Sequence, residues 1–570
     1  MFSGISVSPG VALAQAVVLS NEPVSFDRSP VAAEFIEREI DKFKNAIAES
    51  VKQLTLIEAQ VRKKMGDDKA AIFEAHLMLV EDEELSEAVI EKIKDRCFTA
   101  PAAVEDVISE HVSAMEELDD EYLKARAVDM RDLGQRIVLN CLGIAPQSLE
   151  IFDREVIIVA GELTPSQTAV LDSSKVMGII TERGSRTSHT AIMAASMEIP
   201  AIVGVEGATS AICNGDMIAL DAEHNHIIVN PTPSQLEHVE SQREQYMLEC
   251  KQFEGGRDLP AQTRDGVRIK LAANIGSPAD SGPALGKGAE GVGLYRVEFL
   301  FMETAEQPDE EMQYQAFKSV VEDMKGMPVV IRTLDVGGDK DLPYLDLPKE
   351  DNPFLGCRGI RLCFERPRLL LRQLRALLRA GVHGDVRILV PMISSLDEVR
   401  RFKEFLAEAQ NSLEHEGIAH AKELPLGVMI ETPAAVFLAP HLIHETDFFS
   451  IGTNDLTQYT LAVDRQNERI ADLFEQLSPA VLLGIKHTVD AAREEGKPVC
   501  VCGQMAGDVN SALLLVGMGV EELSMSPVHI PRVKNAIRRQ DLARLREIAK
   551  EVLGLSTATE VKMKLDEYWG

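Results

Sequence analysis

The sequence predicts a multidomain α/β protein in which an all-α helical segment and a small α/β domain precede a C-terminal (β/α)8 barrel, the TIM-barrel fold. Three observations predict this class. The chain of 570 residues is too long for one ordinary hydrophobic core. Residues 31–143 show helical periodicity. A later region alternates eight short β-rich runs with helical stretches over about 300 residues, which is typical of a barrel.

The helical segment is predicted from apolar side chains that recur at spacings of three or four. The series begins at Ile36 and continues at Ile40, Phe43 and Ile47, with charged residues on the opposite face. Such a stripe is more typical of the core of a small antiparallel bundle than of an interaction surface.

Short β-rich runs separated by turn and helix patterns begin near residue 155. The runs are Val156–Val159, Val176–Ile180, Ala201–Val203, Met217–Leu220 and Ile227–Val229. This alternation predicts a compact α/β domain. A polar stretch over residues 234–258 follows and is predicted to form a linker helix.

From residue 261 onward, candidate strands alternate with helices in the pattern of parallel strand–helix units. The eight candidate strands are Ile269–Ala273, Gly291–Tyr295, Val329–Ile331, Ile388–Pro391, Gly427–Ile430, Phe448–Ile451, Val499–Val501 and Glu522–Met525. A doubly wound sheet is the alternative, because the reversal of strand order that it needs cannot be read from the sequence.

Charge and cysteine content exclude several classes of function. The formal net charge is −32, so binding to nucleic acid or to an anionic membrane surface is disfavoured. The eight cysteines form neither a disulfide framework nor a zinc pattern, which predicts reduced thiols in a cytoplasmic protein. We expect no signal peptide and no membrane helix, because neither a basic n-region nor a long apolar run is present.

Polar residues of an unusual kind follow the candidate barrel strands. They are Arg296, Glu298, Arg332, Arg358, Glu431, Asn454, Asp455, Arg465 and Cys502. Strand C-termini converge in a barrel, so these side chains should meet at one mouth. Clustered guanidinium groups suit phosphate and carboxylate, and paired carboxylates suit Mg²⁺. The combination predicts a phosphoryl-transfer site, although each residue alone is more often an ion pair, a cap or a buried side chain.

His189 is the candidate nucleophile of the smaller domain. It precedes the helical run Ala191–Ala194 and therefore lies at or near a helix N-terminus, where an anion on its ring would be stabilised. A neutral imidazole, with a pKa of about 6.5, is a competent nucleophile near neutral pH. The alternative is that His189 only caps or packs against a helix. Arg186 and the neighbouring hydroxyl groups make this alternative less favoured, because they supply hydrogen-bond donors for a phosphoryl group.

Together these residues resemble the Enzyme I family of the bacterial phosphoenolpyruvate-dependent sugar phosphotransferase system. The resemblance runs from Ser3 almost to the end of the chain. Its most specific stretches are Arg186–Thr190, Gly291–Met302, Ile331–Lys340, Asn352–Arg358, Glu431–Ala435, Phe448–Arg465 and Cys502–Asp508.

The resemblance implies a role for each matching residue. His189 would carry the phosphoryl group on its Nε2 atom, and Cys502 would protonate C3 of enolpyruvate to give pyruvate. Phosphoenolpyruvate would be bound by Arg296, Arg332, Lys340, Arg358, Asn454, Asp455 and Arg465. Glu431 and Asp455 would ligate Mg²⁺, or Mn²⁺ in its place.

The resemblance also implies partners and domain boundaries. The phosphocarrier HPr would dock near Asp67, Asp68, Phe73, His76, Leu79, Asp82, Glu83, Glu84 and Arg126. Residues 1–30 and 144–232 would form a swivelling phosphohistidine domain around the carrier-binding segment 31–143. A linker helix, 233–260, would lead to the barrel, 261–570, through which family members form homodimers.

Five residues depart from the family pattern. Ser185 replaces a glycine, Ala195 an arginine and Val297 a threonine, while Gln504 and Met505 replace Glu-Leu. We expect weakened transfer from the changes at Val297 and Ala195. We also expect a lowered pKa of the Cys502 thiol, because the nearby position held by Gln504 no longer carries a carboxylate.

Two other functions compete with this interpretation. A relative of pyruvate phosphate dikinase or of phosphoenolpyruvate synthase would need a nucleotide-binding domain, for which the helical segment is too short and lacks a Gly-rich loop. A regulatory paralogue, for example of a nitrogen branch, would keep the phosphorylation relay as a sensor with weakened transfer.

Overall fold

The structure is a computed structural model. It describes residues 4–569 apart from 20–25, 27, 66–72, 74–75, 118–120, 145–153, 164–166, 169–170, 172–173, 185–188, 198, 223, 303, 305, 338–341, 346, 349, 466, 468 and 471–472. The chain divides into two compact units, Met1–Glu249 and Cys250–Gly570. Within the described part of the chain, no helix combines the length and the apolar character needed to cross a membrane.

Four long helices form the helical part of the first unit. They are α1 (Ile36–Met65), α2 (Glu83–Arg96), α3 (Ala100–Glu117) and α4 (Glu121–Leu142). Their apolar faces share one core that includes Phe43, Leu54, Val89 and Leu133. Helix α2 begins at the N-cap Asp82, whose carboxylate accepts the Glu84 N–H at 2.8 Å. The predicted apolar stripe therefore lies in a helical core.

A seven-stranded mixed sheet forms the rest of the first unit. Its strands are β1 (Ile5–Ser8), β2 (Val11–Leu19), β3 (Val156–Ala160), β4 (Val176–Thr181), β5 (Ala201–Val203), β6 (Met217–Asp221) and β7 (His226–Val229). Their order is β1-β5-β4-β3-β2-β6-β7, so strands from both sides of the helical segment share one sheet. The helices that the structure describes in this part of the chain are α5 (His189–Ser196), α6 (Ala208–Ala211) and α7 (Pro233–Gly255), the last of which continues past the boundary between the units.

The second unit is a closed barrel of eight parallel strands. They are β8 (Lys270–Ile275), β9 (Val292–Arg296), β10 (Val329–Arg332), β11 (Val386–Val390), β12 (Leu426–Ile430), β13 (Phe448–Ile451), β14 (Val499–Val501) and β15 (Glu522–Met525). Strand β15 pairs with β8 and closes the barrel. The predicted TIM barrel is confirmed, and the doubly wound alternative is wrong.

Helices surround the barrel and continue to the C-terminus. They are α8 (Ser281–Gly286), α9 (Glu298–Met302), α10 (Glu310–Asp323), α11 (Ile360–Glu365), α12 (Pro367–Ala380), α13 (Leu396–Glu416), α14 (Pro433–Leu442), α15 (Thr453–Leu461), α16 (Pro479–Glu494), α17 (Val509–Met518), α18 (Ile530–Arg538), α19 (Leu542–Val552) and α20 (Ala558–Trp569).

Two apolar clusters separate the outside of the barrel from its inside. The larger one contains strand residues such as Tyr295 and Ile331 together with the apolar faces of the surrounding helices. The smaller one contains Leu294, Val330 and Cys502 and lies within the barrel. Successive side chains of a strand point alternately to the two sides of the sheet. Leu294 faces the inside of the barrel and Tyr295 the outside, so Arg296 faces the inside again.

Candidate active site at the barrel mouth

The C-terminal ends of the barrel strands place the predicted residues around one mouth. Arg296 and Arg332 are the last residues of β9 and β10, and Glu431 directly follows β12. Helix α15 starts two residues after the end of β13, and its first turn carries Asn454 and Asp455. Each strand thus delivers its polar residue at the same end of the barrel, where the fold usually places chemistry.

Two arginines are held by a shared carboxylate, Asp335. Arg332 forms ion pairs with Glu298 and Asp335, each at 3.1 Å. Arg358 pairs with Asp335 at 2.9 Å and with Asp455 at 3.3 Å. Both arginines are almost fully buried, at 5% and 2% exposed. Burial opposes their charge, but the surrounding carboxylates outweigh it and raise the pKa of Arg332 and Arg358 above the ordinary value.

Arg296 and Arg465 complete the basic side of the mouth. Burial, together with the neighbouring Arg332, lowers the pKa of Arg296 from its ordinary value. Arginine side chains keep their charge at neutral pH in proteins. Arg465 lies 3.7 Å from Asp455. The described residues thus bring four predicted arginines into one electrostatic cluster.

Glu431 and Asp455 form the acidic side of the mouth. One Glu431 oxygen accepts the Met392 N–H at 2.7 Å, and the other has no hydrogen-bond partner among the described residues. Burial, with Asp455 and Asp335 nearby, raises the pKa of Glu431 to about 8. A buried carboxylate oxygen without a donor, beside another carboxylate, fits a hard cation such as Mg²⁺.

Glu431 and Asp455 provide too few ligands for a metal site whose ligands all come from the protein. Among the residues that the structure describes, no group of three or more His, Cys, Asp or Glu side chains could hold a metal ion. Mg²⁺ commonly takes only one or two protein carboxylates and completes its shell with substrate oxygens and water. The donor set formed by Glu431 and Asp455 is compatible with that mode of binding.

Two glutamines orient Asn454. Its side-chain oxygen accepts the backbone N–H of Gln504 at 3.0 Å and the Gln476 amide at 3.1 Å. The Gln476 amide also lies 3.3 Å from the Gln504 side-chain oxygen. With its oxygen occupied, Asn454 has its NH₂ group available for an anion in the mouth. Gln476 was not predicted, because it is distant in sequence from every family motif.

Cys502 directly follows β14 and lies inside the barrel. Its sulfur accepts a hydrogen bond from the Ser450 hydroxyl at 3.2 Å, and the residue is 3% exposed. Burial raises the pKa of the Cys502 thiol to about 11, although Ser450 and Arg332 act in the opposite direction. The thiol therefore keeps its proton at neutral pH. The expectation of a lowered pKa is wrong, because burial outweighs the loss of a carboxylate at the position of Gln504.

The departure at Val297 also has a different consequence from the expected one. Val297 is fully buried in the outer cluster with Tyr295, whereas the mouth is lined by the alternate face that carries Arg296. A threonine hydroxyl at this position would therefore enter the core between strands and helices, which disfavours a phosphate contact there. Met505 is buried too, and Ser185 lies outside the described residues.

Several predicted residues belong to other parts of the molecule. His189 is the first residue of α5, so its backbone lies at a helix N-terminus. Lys340, Asp67 and Asp68 lie outside the described residues, as do the side chains of His189, Ala195, Glu83 and Arg126.

Two predicted carrier-binding residues lie in the helical core. Phe73 and His76 are buried, with ring centroids 5.7 Å apart, so any part that they play at a docking surface would be to support it from beneath. Asp82 and Glu84 are exposed, and Leu79 is half-buried. The neighbouring Met78 is 74% exposed and was not predicted. The periodicity of the segment placed these residues on a helix but did not assign its buried face.

Comparisons with known proteins agree with the geometry. Three family models match: PEP-utilising enzyme, N-terminal, over residues 3–126, its mobile domain over 152–225, and its PEP-binding domain over 251–542. The phosphoenolpyruvate-protein phosphotransferases of Buchnera aphidicola subsp. Schizaphis graminum and Haemophilus influenzae are each 44% identical over 568 residues. These alignments cover 100% of this chain and 100% and 99% of theirs.

A third relative is equally similar in sequence. The phosphoenolpyruvate-protein phosphotransferase of Bacillus sp. (strain S) is 44% identical and covers 98% of this chain and 96% of its own. Full-length identity at this level, with all three family models in order, establishes the relationship. The chain belongs to the PEP-utilising enzyme family, in the group of the phosphoenolpyruvate-protein phosphotransferases.

Proposed function

We propose that the chain transfers the phosphoryl group of phosphoenolpyruvate to His189 and then to a histidine of the phosphocarrier HPr, releasing pyruvate. The observation that carries this proposal is the barrel mouth, where four arginines, the buried Glu431 and the partly buried Asp455 surround a protonated thiol. The full-length relatives favour this transfer over a regulatory paralogue with weakened activity.

The arginines bind and orient the substrate in this proposal. Arg332 and Arg358 are fixed by Asp335, so their guanidinium groups need little reorganisation when an anion arrives. Arg296, Arg465 and Asn454 would add further donors, with Lys340 assisting. A fixed set of donors around the phosphate and carboxylate positions the phosphoryl group for in-line attack by the His189 imidazole, which is most of what such a reaction requires.

Glu431 and Asp455 would hold Mg²⁺, or Mn²⁺, next to the substrate. When bound there, such an ion would neutralise part of the negative charge of the substrate. Its affinity should increase as Glu431 loses its proton, because the pKa of this buried carboxyl is raised to about 8.

Cys502 is proposed to be the proton donor to C3 of the enolate. Its thiol is protonated at neutral pH because burial raises its pKa to about 11. The S–H bond breaks as the C3–H bond forms, and the enolate becomes the ketone of pyruvate. Trapping the product as the ketone makes the reverse transfer unfavourable.

The helical part of the first unit is proposed to dock HPr. Asp82 and Glu84 are exposed at the start of α2, and they would attract a carrier with a basic rim. Asp67, Asp68, Leu79, Glu83 and Arg126 would lie around the same surface, with Phe73 and His76 supporting it from the core. The phosphohistidine domain would swivel so that His189 meets the substrate and the carrier in turn.

A homodimer through the barrel unit is also proposed. Phe437 on α14 is 79% exposed and Leu483 on α16 is 53% exposed. These helices pack together, since a Cβ placed at Gly484 would lie 3.6 Å from Val436. Neighbouring exposed apolar side chains favour an interface between subunits. We further propose a cytoplasmic protein, because the seven described cysteines are all free thiols. The role in sugar uptake is proposed on the resemblance to the sugar phosphotransferase family alone.

The test uses phosphoenolpyruvate labelled with ³²P, Mg²⁺ and purified HPr. We expect label on the parent protein and then on HPr, no label on His189→Ala, and slowed pyruvate release from Cys502→Ala. Label that enters His189 but never reaches HPr would instead indicate the regulatory alternative. An unlabelled parent protein would refute both functions.

A further inference from the structure

A row of proton-bearing side chains crosses the barrel interior next to Cys502. Strands β13, β14 and β15 are adjacent and parallel, and their register pairs Ser450 with Cys500 and Cys500 with Glu522. Residues in register on neighbouring parallel strands face the same side of the sheet, about 4.8 Å apart. Cys500 shares that side with Cys502, which lies two residues further along β14. The four side chains therefore form a continuous series.

Close contacts connect the members of this series. The Ser450 hydroxyl lies 3.2 Å from the Cys502 sulfur. The Cys500 thiol lies between Ser450 and Glu522 in the strand register, and both side chains are near enough to influence its pKa. Ser450 is fully buried and Cys500 is 7% exposed, so bulk water does not separate these groups. Each of them can donate one proton and accept another, which is the requirement for a relay.

The series ends at the face of the barrel opposite the mouth. Glu522 is the first residue of β15 and is half-buried, so it lies where solvent enters. Its in-register neighbour on β8 is the exposed Lys270. Burial raises the pKa of Glu522, while Lys270 and Arg387 act in the opposite direction and Glu290 acts with the burial. A carboxyl with a raised pKa retains a proton that it can pass inward.

We propose that Glu522, Cys500 and Ser450 form a proton relay that reprotonates Cys502 from the far face of the barrel. The proposal rests on the proposed function, in which Cys502 gives its proton to C3 of the enolate. The thiolate then takes the hydroxyl proton of Ser450, Ser450 takes the thiol proton of Cys500, and Cys500 takes the carboxyl proton of Glu522. Water at the barrel floor returns a proton to Glu522, so each pyruvate consumes one solvent proton.

The relay would supply a proton to the Cys502 thiolate while the mouth of the barrel is closed to solvent. At the mouth, Cys502 is covered by product and by the arginine cluster when its thiolate forms. A route from the opposite face lets reprotonation proceed without waiting for the mouth to clear. The proton that reaches C3 in the first turnover is already on Cys502, so the relay affects only later turnovers.

Substitutions at Cys500 test the relay in the full-length protein. Cys500→Val removes the exchangeable proton and fills the space, whereas Cys500→Ser keeps a donor and acceptor at the same position. Cys363→Val is the matched control, because Cys363 is another buried cysteine but lies in the outer cluster. Pyruvate formation is measured over one turnover, with enzyme in excess, and at steady state with HPr.

We expect equal first turnovers for all four proteins. Steady-state pyruvate formation by Cys500→Val should fall by at least about tenfold, because a positioned proton donor typically contributes about 10²–10⁴-fold to a rate. Cys500→Ser and Cys363→Val should stay near the parent. In mixtures of H₂O and D₂O, the parent and Cys500→Ser should give a curved dependence of rate on deuterium fraction, since several protons move. Cys500→Val should give a straight line.

Equal steady-state rates and equal deuterium dependences for Cys500→Val and Cys500→Ser would overturn the relay. If Cys500→Val does not fold, Glu522→Gln at the solvent end replaces it, with the same expected slowing; an unchanged steady-state rate would equally overturn the proposal. Failure of the proposed function is distinguishable from these outcomes, because then the parent itself would carry no label on His189.

Discussion

At the scale of single residues, Asp335 organises the mouth more than any residue that motif reasoning selected. It pairs with both Arg332 and Arg358, and its own backbone N–H donates to Glu298 at 2.9 Å. The sequence placed each arginine after its own strand or in the next loop, which was enough to predict convergence. It could not identify the carboxylate between them, because that depends on how β10 and the following loop meet in space.

Replacing this shared carboxylate should damage both binding and folding. In Asp335→Asn, two buried arginines lose their common counter-ion, so we expect the free energy of unfolding to fall by about 3–5 kcal/mol. Catalytic efficiency, kcat/KM for phosphoenolpyruvate, should also fall. Urea unfolding and steady-state kinetics measure the two effects. Asp385→Asn is the control, since Asp385 pairs with Arg387 at a partly exposed position; equal losses in both variants would contradict the role of Asp335.

Glu431 should make stability depend on pH. Its pKa is about 8 in the folded protein against about 4.5 when unfolded, so the folded state holds an extra proton between these values. Stability should therefore decrease as pH rises from about 4.5 to 8 in the absence of metal. Glu431→Gln removes this pH-dependent loss of stability. The Tm of the variant minus the Tm of the parent should therefore increase as pH rises from about 4.5 to 8. A constant difference would show that Glu431 does not titrate abnormally.

At the scale of elements, close packing between neighbouring barrel strands constrains the residues that fit. A Cβ added at Gly427 on β12 would lie 2.3 Å from the Phe448 ring on β13. No flexible side-chain end is available to move, because Phe448 is buried inside the barrel. Glycine at this position therefore leaves room for the Phe448 ring between β12 and β13, the strands that precede Glu431 and Asn454.

Gly427→Ala should consequently destabilise the barrel by about 1–3 kcal/mol through overpacking. Gly484→Ala on helix α16 is the control, because a Cβ there meets Val436 at an ordinary 3.6 Å. In a helix, that change should be neutral or stabilising by up to about 1 kcal/mol. Chemical denaturation of both variants measures the difference; a similar response from the two would contradict the packing argument.

All eight barrel strands were predicted from their apolar runs. The errors that remain are in the strand boundaries, and they have local causes. The predicted run Ile388–Pro391 is the strand Val386–Val390, whose start was obscured by Arg387, a charged residue paired with Asp385. Strand β9 extends to Arg296, one residue beyond the predicted run, because the site arginine itself belongs to the strand. Side-chain contacts such as Gln476 with Asn454 join distant positions and leave no periodic pattern to detect.

At the scale of the whole molecule, two compact units with separate cores should unfold separately. We expect two transitions in scanning calorimetry of the full chain. Because the mouth lies within residues 250–570, phosphoenolpyruvate with Mg²⁺, added to His189→Ala so that no phosphohistidine forms, should raise the Tm of one transition and leave the other within about 1 °C. Arg332→Ala should abolish that shift. A ligand-induced shift of both transitions by the same amount would contradict independent units.

The mouth combines four arginines with four carboxyl groups, one of which, Glu431, still holds a proton at neutral pH, so its charges nearly balance before any ligand arrives. Its described members are Arg296, Arg332, Arg358 and Arg465 with Glu298, Asp335, Glu431 and Asp455. Either a multivalent anion or a divalent cation alone would unbalance this set, whereas both together nearly preserve it. Substrate and metal should therefore bind with positive cooperativity, and by thermodynamic reciprocity each should increase the affinity of the other by the same factor.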